Sequence, residues 1–314
     1  MQPKKTPSIR RWVHAFSIPL KQSFKIIGLG VIFTLLVASN YFAEIVFSSE
    51  SNGLAIPAEI TFHFDLDGIE SENVYVKTSA MDEEGIKVDP LGHKVNASYK
   101  YPGFFKARLL VDNKTVKTSD VFIKTDGWLA TWENSDEIVY LEHSIILEDN
   151  KLAIPRRFIN RWPERNVTYH YFDQINPISG LFFNLQAELK TGDTSSVCHE
   201  AAIEIVGSNS NFSIPLSMSA CSLEKPFLLG GTEFFPDQKD INYLSAPGKG
   251  WQKFKLIVDK GLAKFRINNK EQLTLPVNAS MGQIVGLRFH FSGPGEVKDI
   301  LLTDTQEITY VDVF

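Results

Sequence analysis

The 314-residue chain has 32 Lys plus Arg against 37 Asp plus Glu, and all six bases of its first 43 residues stand without an acid among them. The remainder therefore carries 26 bases against 37 acids, a formal charge of −11, which excludes nucleic acid and anionic lipid as partners of that part because both need a cationic face. Two cysteines exclude a disulfide-dense scaffold and a four-cysteine zinc site, and no cofactor or metal motif is present.

In chain order, Lys4, Lys5, Arg10, Arg11, Lys21 and Lys25 form a basic tail over 1–25, followed by an uncharged apolar run from Ile26 to Ala43. Eighteen helical residues span roughly 27 Å, near the hydrocarbon thickness of a bilayer, and Ile45, Val46 and Phe47 extend the span if Glu44 snorkels. Residues 26–47 are thus expected to be a transmembrane anchor with a cytoplasmic N-terminus. A cleaved leader is the alternative, and either reading exports the rest. The polar stretch 48–54 (SSESNGL) is expected to be a linker.

Residues 55–126 follow as a first exported domain. Ile60, Phe62 and Phe64 alternate with polar residues, as in a half-buried strand, and Val74 with Val76 marks a second. After the Pro102-Gly103 turn, Phe105, Ala107, Leu109 and Val111 share one face, and Val121 to Ile123 supplies another strand. The acidic run Asp65 to Glu70 lacks a Glu at the twelfth loop position, held by Val76, so a solvated turn is favoured over a calcium loop.

The pattern carried by Tyr99, Pro102, Gly103, Phe105, Ala107, Leu109 and Val111 resembles the PKD domain, a small immunoglobulin-like β-sandwich. The Trp-x-Phe-Gly-Asp-Gly segment usual in that family is absent. The resemblance implies a spacer or contact module without chemistry of its own.

Residues 127–139 are expected to link the domains. Trp128 and Trp132 lie among polar residues there and are the candidate ligand-binding residues, as a sugar-stacking platform, with a role in plugging the domain seam as the alternative. Residues 140–305 show a series of short strand signals and little helix. Leu181, Phe183, Leu185 and Ala187 alternate; 251–258 and 262–267 flank Asp259-Lys260-Gly261, and Asn268-Asn269 precedes 271–275, giving two tight hairpins. Val285 to Phe291 and Val297 to Leu302 complete the series, with a tail over 306–314. Trp251 falls in a strand and is expected to be core.

The order carried by Trp251, Phe254, Leu256, Val258, Ile267, Asn268, Asn269, Gly282, Ile284, Gly286 and Leu287 resembles the concanavalin A-like jelly roll, including laminin-G-like glycan-associated modules. The whole is expected to be all-β. Residues 198–221 suggest a hairpin in which Cys198 faces Cys221 while Ala201, Ile203 and Ile205 face Met218, Leu216 and Ile214; one register serves both the amphipathic pattern and a disulfide.

Catalytic signatures are lacking. Glu200 and Glu204 share a strand face but sit roughly 13 Å apart, too far for paired-carboxylate chemistry. His63, His170 and His290 fall in aromatic strand patterns and read as packed or surface residues. The expectation is therefore a non-enzymatic, membrane-anchored extracytoplasmic protein recognising a glycan or an envelope protein. A structural or sensor subunit is the second reading, and an envelope glycoside hydrolase or lyase the third.

Overall fold

The computed structural model describes residues 45–51, 55–66, 68–69, 71–79, 82–162, 164–173, 175, 177–192, 200–217, 225–236, 244, 250–304 and 310–312. Among these the fold is all-β with two short helices.

The first sandwich uses β1 (Val46–Ser51), β2 (Ala58–Asp65), β3 (Val74–Lys77), β4 (Ile86–Lys87), β5 (Lys94–Tyr99), β6 (Gly103–Val111) and β7 (Lys114–Ile123). They form sheets β1-β2-β5 and β4-β3-β6-β7, packed over a core that includes Ile60, Phe62, Phe64, Val74, Val76, Ala107 and Leu109. The expected alternation is met: Phe62, Val76 and Leu109 are fully buried while His63 and Lys106 face water.

The N-terminal boundaries differ from expectation. Val46 and Phe47, read as the end of an anchor, and Ser48 to Ser51, read as linker, all pair with β2 from Val46↔Asp65 to Ser51↔Ile60. Phe47 stacks on Phe62 at 5.4 Å, so the apolar end of the presumed span has a core to enter. Residues 1–44, with the basic tail and most of the anchor, lie outside the described residues; among the described residues no helix is long and apolar enough to cross a membrane.

The second sandwich begins earlier than expected, with β8 (Trp128–Glu133) and β9 (Ile138–Leu141). After α1 (His143–Ile146) come β10 (Leu147–Glu148), β11 (Lys151–Ala153), α2 (Arg156–Arg161), β12 (Asn166–Tyr171), β13 (Phe183–Thr191), β14 (Glu200–Gly207) and β15 (Asn211–Ser217). The remainder are β16 (Phe227–Leu229), β17 (Thr232–Phe234), β18 (Gln252–Asp259), β19 (Leu262–Ile267), β20 (Lys270–Pro276), β21 (Ile284–Phe291), β22 (Gly295–Asp304) and β23 (Tyr310–Asp312). One sheet runs β17-β16-β15-β14-β21-β12-β8-β9. The other runs β10-β11-β22-β13-β18-β19-β20, with β23 also on β22. All pairings are antiparallel, an arrangement consistent with a jelly roll.

Several local readings hold. Both tight hairpins form, with Lys260, Gly261, Asn268 and Asn269 at positive φ as such turns require. Four expectations are corrected. Trp128 and Trp132 are not in a linker: they alternate inward with Ala130 along β8 and are 1% and 0% exposed, so neither offers a face to a sugar. Trp251 is half-buried just before β18, with the Lys298 ammonium 4.8 Å from its ring centroid, and is not core. The tail contributes β23, pairing Leu302 with Val311. The β14–β15 hairpin pairs Glu200 with Ser217 and Ala201 with Leu216, two residues away from the register expected to set Cys198 against Cys221. The shift is even and keeps every side chain on its expected face. The turn decides it, because the Gly207 N–H closes on the Ser210 carbonyl at 2.9 Å. Both cysteines lie outside the described residues.

Candidate active site

The sheet containing β12, β21 and β14 buries Val167, Tyr169, Leu287, Phe289, Phe291, Ile203 and Ile205 in the core. Period-two alternation sends the intervening side chains to the opposite face. The strand register then aligns Leu129, His170, Arg288 and Glu204 in one cross-strand row, and Thr131, Thr168, His290 and Ala202 in the next. Directly opposed positions have Cβ atoms about 4.5–5.5 Å apart. Thus an imidazole, a guanidinium and a carboxylate become neighbours although their residue numbers differ by more than 30.

The first sandwich roofs this face. The Tyr101 hydroxyl donates to Glu133 Oε2 at 2.7 Å, the Tyr140 hydroxyl donates to the Lys100 carbonyl at 3.0 Å, and Arg288 Nη2 donates to the Pro102 carbonyl at 2.8 Å. Gly103 permits this approach, since a Cβ there would lie 2.7 Å from Arg288 Nη2. Between roof and sheet is a cavity of about 380 Å³, whose walls include Tyr101, Phe105, Glu133, His170, Arg288 and His290.

Arg288 is held on three sides. Its Nη1 donates to Glu204, its Nη2 meets Pro102, and its guanidinium lies 4.7 Å from the Phe172 ring centroid. Phe172 can sit there because Gly286 has no side chain; a Cβ at that position would be 2.2 Å from the ring. Glu204 also accepts from the Asn211 amide.

His170 is 2% exposed. Its Nε2 is 3.1 Å from Thr131 Oγ1, whereas Nδ1 has no hydrogen-bond partner. Burial pushes its pKa well below the usual imidazole range, and the neighbouring Arg288 and His290 push the same way. His290 Nδ1 is 2.9 Å from Thr168 Oγ1; burial lowers its pKa too, with Lys225 adding and Glu133 and Glu200 opposing. Burial raises the Tyr101 phenol, reinforced by its bond to Glu133 and that carboxylate's charge. At neutral pH the cavity therefore presents two uncharged imidazoles, a protonated phenol and a fixed guanidinium.

The sequence-expected site is not assembled here: Trp128 and Trp132 point into the core behind this face. His170 and His290, read from the sequence as packing or surface residues, are instead cavity walls. Among the described residues no three His, Cys, Asp or Glu side chains converge as a metal site.

No protein-family model and no curated protein matches the chain. Solved structures similar to it include an alginate lyase from Corynebacterium sp., at TM-score 0.32 and 11% identity over 56% of this chain and 93% of that one. The marine PL7 alginate lyase AlyA1 from Zobellia galactanivorans gives TM-score 0.31 and 9% identity over 58% of this chain and 96% of that one. A sialidase gives 0.33 and 9%, over 68% of this chain and 22% of that one. By name these are two alginate lyases and a sialidase, which runs against the expectation of a non-enzymatic binding protein. The likeness assigns no residue a role; the chemistry rests on the cavity.

Proposed function

We propose that the chain is a glycan-degrading enzyme that cleaves a uronate-bearing polysaccharide by β-elimination in the cavity beneath Tyr101. The observation that carries this reading is His170, a buried neutral imidazole with one ring nitrogen unpartnered, set beside a guanidinium and below a protonated phenol.

Elimination needs three things. A base takes the proton from the carbon bearing the carboxylate, and that C–H electron pair forms the carbon–carbon double bond. The bond to the glycosidic oxygen breaks, and the departing oxygen takes a proton from an acid. A cation beside the carboxylate stabilises the negative charge that develops on it. Neutral His170 fits the base, the Tyr101 phenol the acid, and Arg288 the cation. A guanidinium has five N–H donors, so the bonds to Glu204 and Pro102 leave capacity for a substrate carboxylate.

Hydrolysis by a carboxylate pair fits less well. Glu133 and Glu204 both reach the cavity, but three strand spacings and four residues of rise, roughly 20 Å, separate their Cα atoms, a wide gap for two side chains to close to the roughly 5–9.5 Å between carboxyl groups that such chemistry uses. Glu133 is engaged by Tyr101 and Glu204 by Arg288.

The test is incubation of the full chain with sodium alginate, sodium polygalacturonate and a neutral glucan. Elimination generates an unsaturated uronate, followed by its ultraviolet absorbance, from an acidic polymer only. New reducing ends without that absorbance would mean hydrolysis, and neither signal on any polymer would defeat the reading.

The finer features of the chain belong to the same proposal. Residues 26–43 anchor it, the cytoplasmic side takes the basic tail, and the PKD-like sandwich is both spacer and roof of the cavity. The continuous apolar run and its basic flank support this topology. Protease outside intact spheroplasts should degrade epitopes beyond residue 55 and spare those before residue 20; the converse pattern would refute it.

A further inference from the structure

A second cavity, of about 910 Å³, opens where β11, the β21–β22 turn and the end of β13 meet. Lys151, Lys190 and Arg156 line it, with Glu148 and Glu296 as its acids. Glu296 serves both lysines, with Lys151 Nζ at 2.9 Å and Lys190 Nζ at 3.5 Å. One carboxylate thus holds two ammonium groups in place without neutralising both.

The α2 segment continues the cationic surface. Residues 151–165 contain five bases and one acid, +4 in a chain region whose exported total is −11. Arg156, Arg157 and Arg161 are exposed, and among the described residues none has a carboxylate within salt-bridge distance. Two of the three planar groups are held by aromatics. Arg157 lies 5.1 Å from the Phe158 ring centroid, and Arg161 lies 4.4 Å from that of Trp162; the two rings stack at 6.3 Å. Guanidinium groups pre-oriented in this way suit planar carboxylates better than free lysines would.

We infer that this cavity and the α2 arginines form a second, non-catalytic binding site for the acidic polysaccharide. Its location supports that partner. His290 of the first cavity is the penultimate residue of β21, and the Ser292-Gly293-Pro294 turn leads into Gly295 and Glu296 of the second on the facing sheet, so the two cavities lie on either side of one turn. An ion-paired lysine cluster serving stability alone would not need three exposed, unpaired arginines beside it. The inference rests on the reading of the substrate as a uronate polymer, and the experiment separates the two.

Affinity electrophoresis of the full chain through gels containing sodium alginate or sodium polygalacturonate, with dextran as the uncharged control, tests it. Wild type should be retarded by at least one polyuronate and not by dextran, with retardation fading as salt rises. The combined Arg156→Ala, Arg157→Ala and Arg161→Ala variant should lose roughly tenfold in affinity, a few-fold per exposed charge, at an unchanged melting temperature. Lys190→Ala, which leaves α2 intact, supplies an independent reading should the triple variant misfold. Elimination of a short oligouronate by these variants should match wild type. Wild type unretarded by both polyuronates, or variants retarded like wild type, would overturn the second site. Retardation that depends on the arginines, without any elimination product, would uphold the site and defeat the catalytic reading.

Discussion

Arg288 and Pro102, 186 residues apart, are joined by a 2.8 Å hydrogen bond from guanidinium to carbonyl, so the residue at the centre of the cavity floor is held by the roof. The first sandwich is therefore part of the site's geometry. A change at the contact should be felt in catalysis as well as in stability. Gly103→Ala places a methyl group 2.7 Å from Arg288 Nη2 and 3.0 Å from the Phe105 ring. It should destabilise the fold by about 1–3 kcal/mol in urea unfolding and lower kcat on polyuronate; a variant with wild-type stability and rate would show the contact to be incidental.

Tyr101→Phe removes one hydroxyl and its bond to Glu133. As the loss of a general acid it should reduce kcat by about 10²–10⁴ while leaving unfolding free energy within about 1 kcal/mol. Normal turnover in a steady-state assay would remove Tyr101 from the mechanism.

His170 and His290 should make stability depend on pH. Both have folded-state pKa values below the ordinary 6.5. The unfolded chain then binds protons that the folded chain refuses. Stability is full above pH 6.5 and declines as pH falls from there toward the folded values, by up to about 1.4 kcal/mol per pH unit for each histidine. Urea titrations between pH 7 and pH 5 should show the slope in wild type and a shallower one in His170→Gln. An unaltered slope in that variant would assign the effect to other groups.

Trp132→Ala should cost about 3–5 kcal/mol, because the ring is fully buried between the sheets. Trp132→Phe should be much milder, since the buried indole N–H has no hydrogen-bond partner to lose. Trp251→Ala, at a half-buried ring beneath Lys298, should cost under about 2 kcal/mol. Chemical denaturation of the three variants gives the order directly; Trp251→Ala as the worst would contradict the packing.

Alternation made β2, β6 and the β18–β19–β20 hairpins legible, because each is a local pattern with its turn residues inside one window. The same alternation runs through Trp128, Ala130 and Trp132, but the polar residues on β8's other face disguised it as a linker. Of those, Glu133 is a wall of the cavity and Thr131 meets the His170 imidazole at 3.1 Å. The β14–β15 register was out of reach for a different reason: a slip of two leaves inward and outward residues unchanged, so only turn geometry distinguishes the alternatives. The candidate site left no spacing signature. His170 and His290 meet through the pairing of β12 with β21, and Tyr101 arrives from another sandwich.

The pairing of β22 has a consequence for the order in which the chain is made. Its first half zips to β11, from Lys151↔Lys298 to Ala153↔Glu296, and its second half takes β23 at Leu301 to Thr303. The Tyr169 hydroxyl likewise waits for the Gly295 carbonyl, 126 residues downstream. A chain emerging N-terminus first can complete its smaller sandwich early, but it holds β11, β12, β13 and β14 with unpaired edges until the last fifth of the polypeptide arrives. Such long-range closure makes folding slow and leaves strand edges open to neighbouring chains during synthesis. A holding chaperone, rather than added stability of the finished fold, is what would raise the yield of this protein.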